Sequence, residues 1–148
     1  MYNFRIVISM RIDSIEIKIY EISHYILGKA IFRQCQSQKI SSDFYKDFYN
    51  TRKPSEAFRL KYCEKKTVNE VAALLYFSEG KNIYKKIDND MLSFGVWLSN
   101  DCKEANAFES IRKQLENILL LESQKRNISI NDKKGWTALK SDCLKLLS

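Results

Sequence analysis

The sequence predicts a single α+β domain over residues 1–148: a small antiparallel or mixed sheet, built from an N-terminal hairpin and a central strand near 91–98, covered by about five helices. Three observations predict it. Phe4, Ile6, Ile8 and Met10 alternate with Asn3, Arg5, Val7 and Ser9, and Ile15, Ile17 and Ile19 alternate with Glu16, Lys18 and Tyr20, the period of half-buried strands. The run 91–98, MLSFGVWL, is apolar on both faces, as a strand in the middle of a sheet is. Elsewhere the apolar residues recur at three- and four-residue steps, the helical period.

Taken in order, Arg11-Ile12-Asp13-Ser14 turns the chain between the two N-terminal strands. From Glu21 to about Gln36 the spacing of Ile22, Tyr25, Ile26, Ala30 and Phe32 predicts a helix, which Gly28 weakens by up to about 1 kcal/mol relative to alanine. Ser41-Ser42-Asp43 offers an N-cap for a second helix carrying Phe44, Tyr45, Phe48 and Tyr49. After the break at Asn50-Thr51-Arg52-Lys53, Pro54 suits the first position of a helix bearing Ala57, Phe58 and Tyr62. Thr67 and Glu70 have the spacing of a capping box, opening a helix with Val71, Leu74, Leu75 and Phe77 that Gly80 closes. A turn over 81–90 leads to the strand 91–98, and Ser99 or Asn100 caps a long helix to about Gln124 with Phe108, Ile111, Leu115, Ile118 and Leu119 on its stripe. Ile128-Ser129-Ile130 adds an edge strand, Asn131–Gly135 turns, and 136–147 forms a closing helix with Leu139, Cys143, Leu144 and Leu147 inward.

Composition narrows the class. Apolar residues make 45% of the chain and charged ones 29%, with one proline and four glycines, so the chain has the makings of a core and not of a disordered tract. No apolar run nears the roughly 20 residues that span a bilayer, and charges among the N-terminal isoleucines do not fit a signal peptide; a cytoplasmic protein is expected. Cys35, Cys63, Cys102 and Cys143 are widely spaced, with no paired ligand motif and a single histidine, His24; free, mostly buried thiols are expected, and neither a metal site nor a cofactor. Plentiful Ile, Lys and Asn beside scarce Gly, Pro and Ala are the mark of an A/T-rich coding genome, pointing to a low-GC bacterium or a virus.

Charge supplies the main functional lead. Residues 1–66 hold 13 Lys/Arg against 7 Asp/Glu, whereas residues 67–148 hold 12 against 11. Arg52, Lys53, Arg59, Lys61, Lys65 and Lys66 are interleaved with Tyr45, Tyr49 and Tyr62, a pattern in which cations meet phosphates and rings stack on bases. The same pattern also describes rings packed inward beneath solvated lysines. Lys81, Lys85 and Lys86, and Lys133 with Lys134, form two further basic clusters, which matter only where they converge with 52–66. The expected function is a non-catalytic binding or regulatory protein engaging an acidic partner, nucleic acid or a nucleoprotein complex. An inhibitor encoded by a mobile element or virus is one form this takes.

Two alternatives belong to other classes. Trp136, opening a helix after Gly135, can anchor an apolar patch in a protein–protein interaction module, or lie in the core. Asp13, Glu16 and Lys18 stand in an order that resembles the Asp…Glu-x-Lys arrangement of metal-dependent nucleases, in which two carboxylates on neighbouring strands hold Mg²⁺ and the lysine helps activate water. Such a site needs a further carboxylate, Glu56 or Glu70. Alternation of Ile with Glu and Lys equally describes a strand with one solvated face. There is no phosphate-binding glycine loop and no nucleophile elbow.

Overall fold

The computed structural model describes residues 14–79 and 83–147, whose regular structure is all helical, joined by short turns and loops. In chain order they form α1 (Ser14–Gln36), α2 (Asp43–Arg52), a short α3 (Glu56–Phe58) that runs on into a π-helical turn (Arg59–Cys63), α4 (Val68–Glu79), α5 (Ile83–Asn100), α6 (Ala105–Lys125) and α7 (Lys133–Leu146). No strand occurs among the described residues, so the α+β expectation with its sheet is overturned. The predicted strand 3–10, the turn residue Asp13 and the helix-closing Gly80 lie outside the described residues.

Both misread segments were ambiguous in period. Ile15 and Ile19 are two steps of an alternating pattern and also one helical turn. The second reading continues through Ile22 and Ile26, and Ile19, Ile22 and Ile26 are the buried ones while Ile17 is exposed. The run 91–98 likewise continues an upstream stripe: Ile83, Ile87, Met91, Phe94, Gly95 and Leu98 are all buried along α5. That makes an 18-residue helix, and length decides against a strand. It also absorbs Ser99 and Asn100, expected as caps of the next helix, which starts instead at Ala105. The predicted edge strand 128–130 is a turn in which Ile128 is buried and the Ser129 carbonyl accepts from Asp132 N–H and Trp136 Nε1.

Helices α1 and α5 form the centre, with α6 laid across both and α7 against α1 and α6; α2, α3 and α4 close the opposite end. The two central helices meet at Gly28 and Gly95. A Cβ on Gly28 would stand 2.5 Å from the Met91 carbonyl oxygen, and one on Gly95 would run into the His24 carbonyl. Around this crossing one end of the core is aromatic: the Phe32 ring lies 4.4 Å from Tyr62 and 5.8 Å from Phe58, and Phe48 lies 5.1 Å from Phe94 and 5.9 Å from Trp97.

The caps follow local chemistry. Thr67 and Glu70 form the expected capping box, each side chain accepting the other's backbone N–H at 3.0–3.1 Å. Pro54 sits ahead of its helix, not in it: Ser55 is the N-cap, accepting from Phe58 N–H, and its own N–H and hydroxyl both donate to Asp90 on α5. This one serine starts α3 and ties it to the central helix. Ser55→Ala is therefore expected to cost about 1–2 kcal/mol in chemical denaturation; an unchanged midpoint would show the tie to be without weight.

Candidate functional site

The basic segment 52–66 does not form a continuous patch. Arg52 is paired with Asp101 at 2.5 Å, and Arg59 is clamped between Glu56 and Glu64. Lys53 is exposed and takes a left-handed conformation that ends α2, its N–H donating to the Tyr49 carbonyl. Lys66 is half-buried beside the capping box. Among the rings, Tyr62 is buried, and Tyr45 and Tyr49 are half-buried, Tyr45 lying 5.3 Å from Phe32. Two of the three expected stacking groups, Tyr45 and Tyr62, pack against the core.

A different face gathers the cations, and it runs along α1. Lys18, Tyr25, Lys29 and Arg33 follow one another at steps of seven, four and four residues, which places them on one side of a helix. At its start Lys18 shares a groove of about 330 Å³ with Lys133 and Lys140 of α7, whose other lining includes Glu21, Tyr25, Asp88 and Trp136. Lys140 Nζ sits over the Tyr25 ring, 4.4 Å from its centroid, and the Tyr25 hydroxyl donates to Asp88 at 3.3 Å. One turn on, Lys29 Nζ donates to the Tyr62 hydroxyl at 3.0 Å; Lys29 and Lys61 both lie over that ring, at 5.2 and 5.4 Å. Tyr62 also lines a second groove, of about 490 Å³, with Lys39 and Lys65.

The result is a continuous run from Lys133 and Lys18 through Lys140, Lys29, Lys61 and Arg33 to Lys65 and Lys39. The two carboxylates in this chain of contacts are Glu21 and Asp88, and Asp88 is engaged by Tyr25. None of the eight cations forms an ion pair among the described residues. The field is mutual: burial pushes the Lys29 ammonium below its ordinary range, and the positive charges of Arg33 and Lys61 push it the same way. Burial, with the neighbouring Asp88 carboxylate, pushes the Tyr25 phenol up to about 12.

Of the nine residues singled out by sequence, the structure brings Lys61, Lys65, Tyr62 and Tyr45 into this face, with Lys133 from a second cluster. Lys85 is exposed one turn ahead of Asp88 and Asn89, and Lys81 lies outside the described residues. Lys18 enters the sequence reading only as a nuclease candidate on a strand, and Lys29 and Arg33 lie unmarked in the helix expected over 21–36; the seven-four-four alignment with Tyr25 shows only once 14–36 is one helix.

The alternatives fare as follows. Glu16 and Lys18, expected to share a strand face, are two residues apart on α1 and so about 200° apart around it, pointing away from each other. Glu56 is paired with Arg59 and Glu70 is engaged in the α4 cap, so neither joins them. Among the described residues no three His, Cys, Asp or Glu side chains are placed to hold a metal ion. Trp136 is 3% exposed and its indole N–H is held by the Ser129 carbonyl at 3.0 Å, so it belongs to the core. Cys35, Cys102 and Cys143 are free and buried, as expected, with burial pushing the Cys35 thiol up to about 11. No helix among the described residues is long and apolar enough to cross a membrane. Comparison with known families, characterised proteins and solved structures finds no match to this chain.

Proposed function

We propose that this is a non-catalytic binding protein that engages an acidic partner through the α1 face, in a cytoplasmic setting. One observation carries the reading: seven lysines from α1, the π-helical segment, the loops beside it and α7 are linked by shared grooves and rings, with Arg33 close enough to Lys29 to act on its charge and two carboxylates among them. Unpaired like charges held this close repel one another, and a polyanion relieves that repulsion on binding. Arginines 52 and 59, neutralised by their own carboxylates, have no part in it.

The test is a titration of full-length protein against a panel of polyanions (heparin, polyglutamate, duplex DNA) at 50 and 200 mM salt. Arg33→Ala and Lys140→Ala are each expected to weaken binding to whichever polyanion is bound and to reduce the salt slope by about one. Lys113→Ala and Lys125→Ala, on α6 and outside both grooves, serve as controls. Equal losses from the α6 controls would mean that net charge alone drives the binding, and the reading would fail.

A further inference from the structure

We propose that the partner of the α1 face is the phosphate backbone of a double-stranded nucleic acid, held without reading its bases. This rests on the preceding reading that the face takes an acidic partner, and three features of the face choose among acidic partners.

The first is residue type. Seven of the eight cations are lysines, which meet phosphates as point charges without the planar, bidentate readout that arginine brings to base edges. Protein–protein interfaces are built the other way, with lysine depleted and aromatic residues and arginine enriched at their centre. Protein–DNA interfaces are polar, wet and strongly positive.

The second is the position of the rings. Single-strand binders offer open aromatic faces on which bases stack. Here Tyr62 is 7% exposed and lies beneath two lysines, Tyr25 lies under Lys140, and Tyr45 is packed against Phe32. Two of these rings are covered by the face's own cations and the third packs against the core, so an unpaired base finds no open platform.

The third is shape. From Lys18 to Arg33 the strip rises about 22 Å along α1. Over that length a duplex presents on the order of 13 phosphates from both strands. Yet α1 is the central helix of the fold, and its exposed strip is flanked by Asp88 of α5, Lys140 of α7 and Lys61. It does not protrude as a helix that enters the major groove must. Backbone contact is within reach and base edges are not.

Fluorescence anisotropy of the full chain with labelled 20-base-pair duplexes decides it. Two duplexes of unrelated sequence should bind within about twofold of each other, about tenfold tighter than either single strand. With the eight cations on phosphates, affinity should fall on the order of 10⁴-fold between 50 and 200 mM salt. Arg33→Ala should weaken both duplexes equally, as loss of a phosphate contact does. Tighter binding of the single strand, a tenfold preference between the duplexes, or polyglutamate competing as well as unlabelled duplex would each overturn the duplex assignment while leaving the acidic-partner reading in place. Failure to bind any polyanion would remove both.

Discussion

Replacing Gly95 by alanine is expected to cost about 3 kcal/mol of folding stability, although alanine is the better helix former by about 1 kcal/mol. The reason is local and steric. Gly95 lies where α5 crosses α1, and a methyl group there meets the backbone carbonyl of His24, well inside the 3.0 Å that real Cβ contacts respect. A flexible side chain can swing aside; a carbonyl in mid-helix moves only if the whole helix moves. Separating α1 from α5 loosens the contacts of Ile26, Leu27, Met91 and Phe94, all at most 1% exposed. Gly28→Ala acts on the same crossing, through the Met91 carbonyl and the Gly95 backbone. The double variant should therefore cost less than the sum of the singles, because one displacement of the helices serves both. Urea unfolding of the three variants measures this. A loss below about 1 kcal/mol for Gly95→Ala would mean the helices do not approach as closely as this.

That crossing also explains how far the fold was legible in the sequence. Segments whose pattern admits one period match the structure: the helix opening at Asp43, which runs on to Arg52 through the expected break at Asn50, the helix over 68–79, the Thr67–Glu70 cap, and the inward Phe48, Phe58, Leu139 and Cys143. The centre was misread because its two helices carry short runs that satisfy both periods. Gly95 inside an apolar run reads as a strand feature until it is paired with Gly28, sixty-seven residues away in sequence. At the chain's end Leu147, expected inward, is 42% exposed, since α7 stops at Leu146. The binding face shows the same limit. That cations crowd the first half is composition, and it is visible in the sequence. Which of them stay unpaired is tertiary: Asp101 neutralises Arg52 across forty-nine residues, whereas Glu56, three residues from Arg59, was a partner the sequence already displayed.

Lowering the pH from 7.5 to 5 is expected to destabilise the protein progressively, by up to about 2 kcal/mol, through one group, His24. Its ring is 1% exposed at the α1–α5 crossing. The Tyr20 carbonyl can only accept, so Nδ1 carries the proton and donates to it at 2.8 Å; Nε2 then accepts from the Ser99 hydroxyl at 3.1 Å. Protonation at Nε2 would leave a hydrogen-bonded ring, since the Ser99 hydroxyl can turn to the Val96 carbonyl at 3.3 Å. The cost lies in placing the charge away from water. Burial lowers the His24 pKa from 6.5 and the positive Arg112 lowers it further, against the Tyr20 carbonyl and the carboxylates of Glu109 and Glu116, which raise it. Arg112 is itself buried and held between those two carboxylates, which spends much of their charge. The sign follows. The unfolded chain takes up a proton near pH 6.5 and the folded chain does so only at lower pH, so stability is complete above 6.5 and falls as the pH drops toward the folded value. The steepest slope is about 1.4 kcal/mol per pH unit. Glu56, Glu70 and Glu109, held below the ordinary 4.5 by hydrogen bonds to Arg59, Thr67 and Arg112, lose their contribution only at more acid pH, so the two windows separate. Urea midpoints at half-unit intervals from pH 7.5 to 5 test this with wild type and His24→Leu. The variant should be less stable at pH 7.5, having lost both ring hydrogen bonds, and flat down to pH 5. A wild-type midpoint equally flat over that interval would show that the ring is not excluded from water.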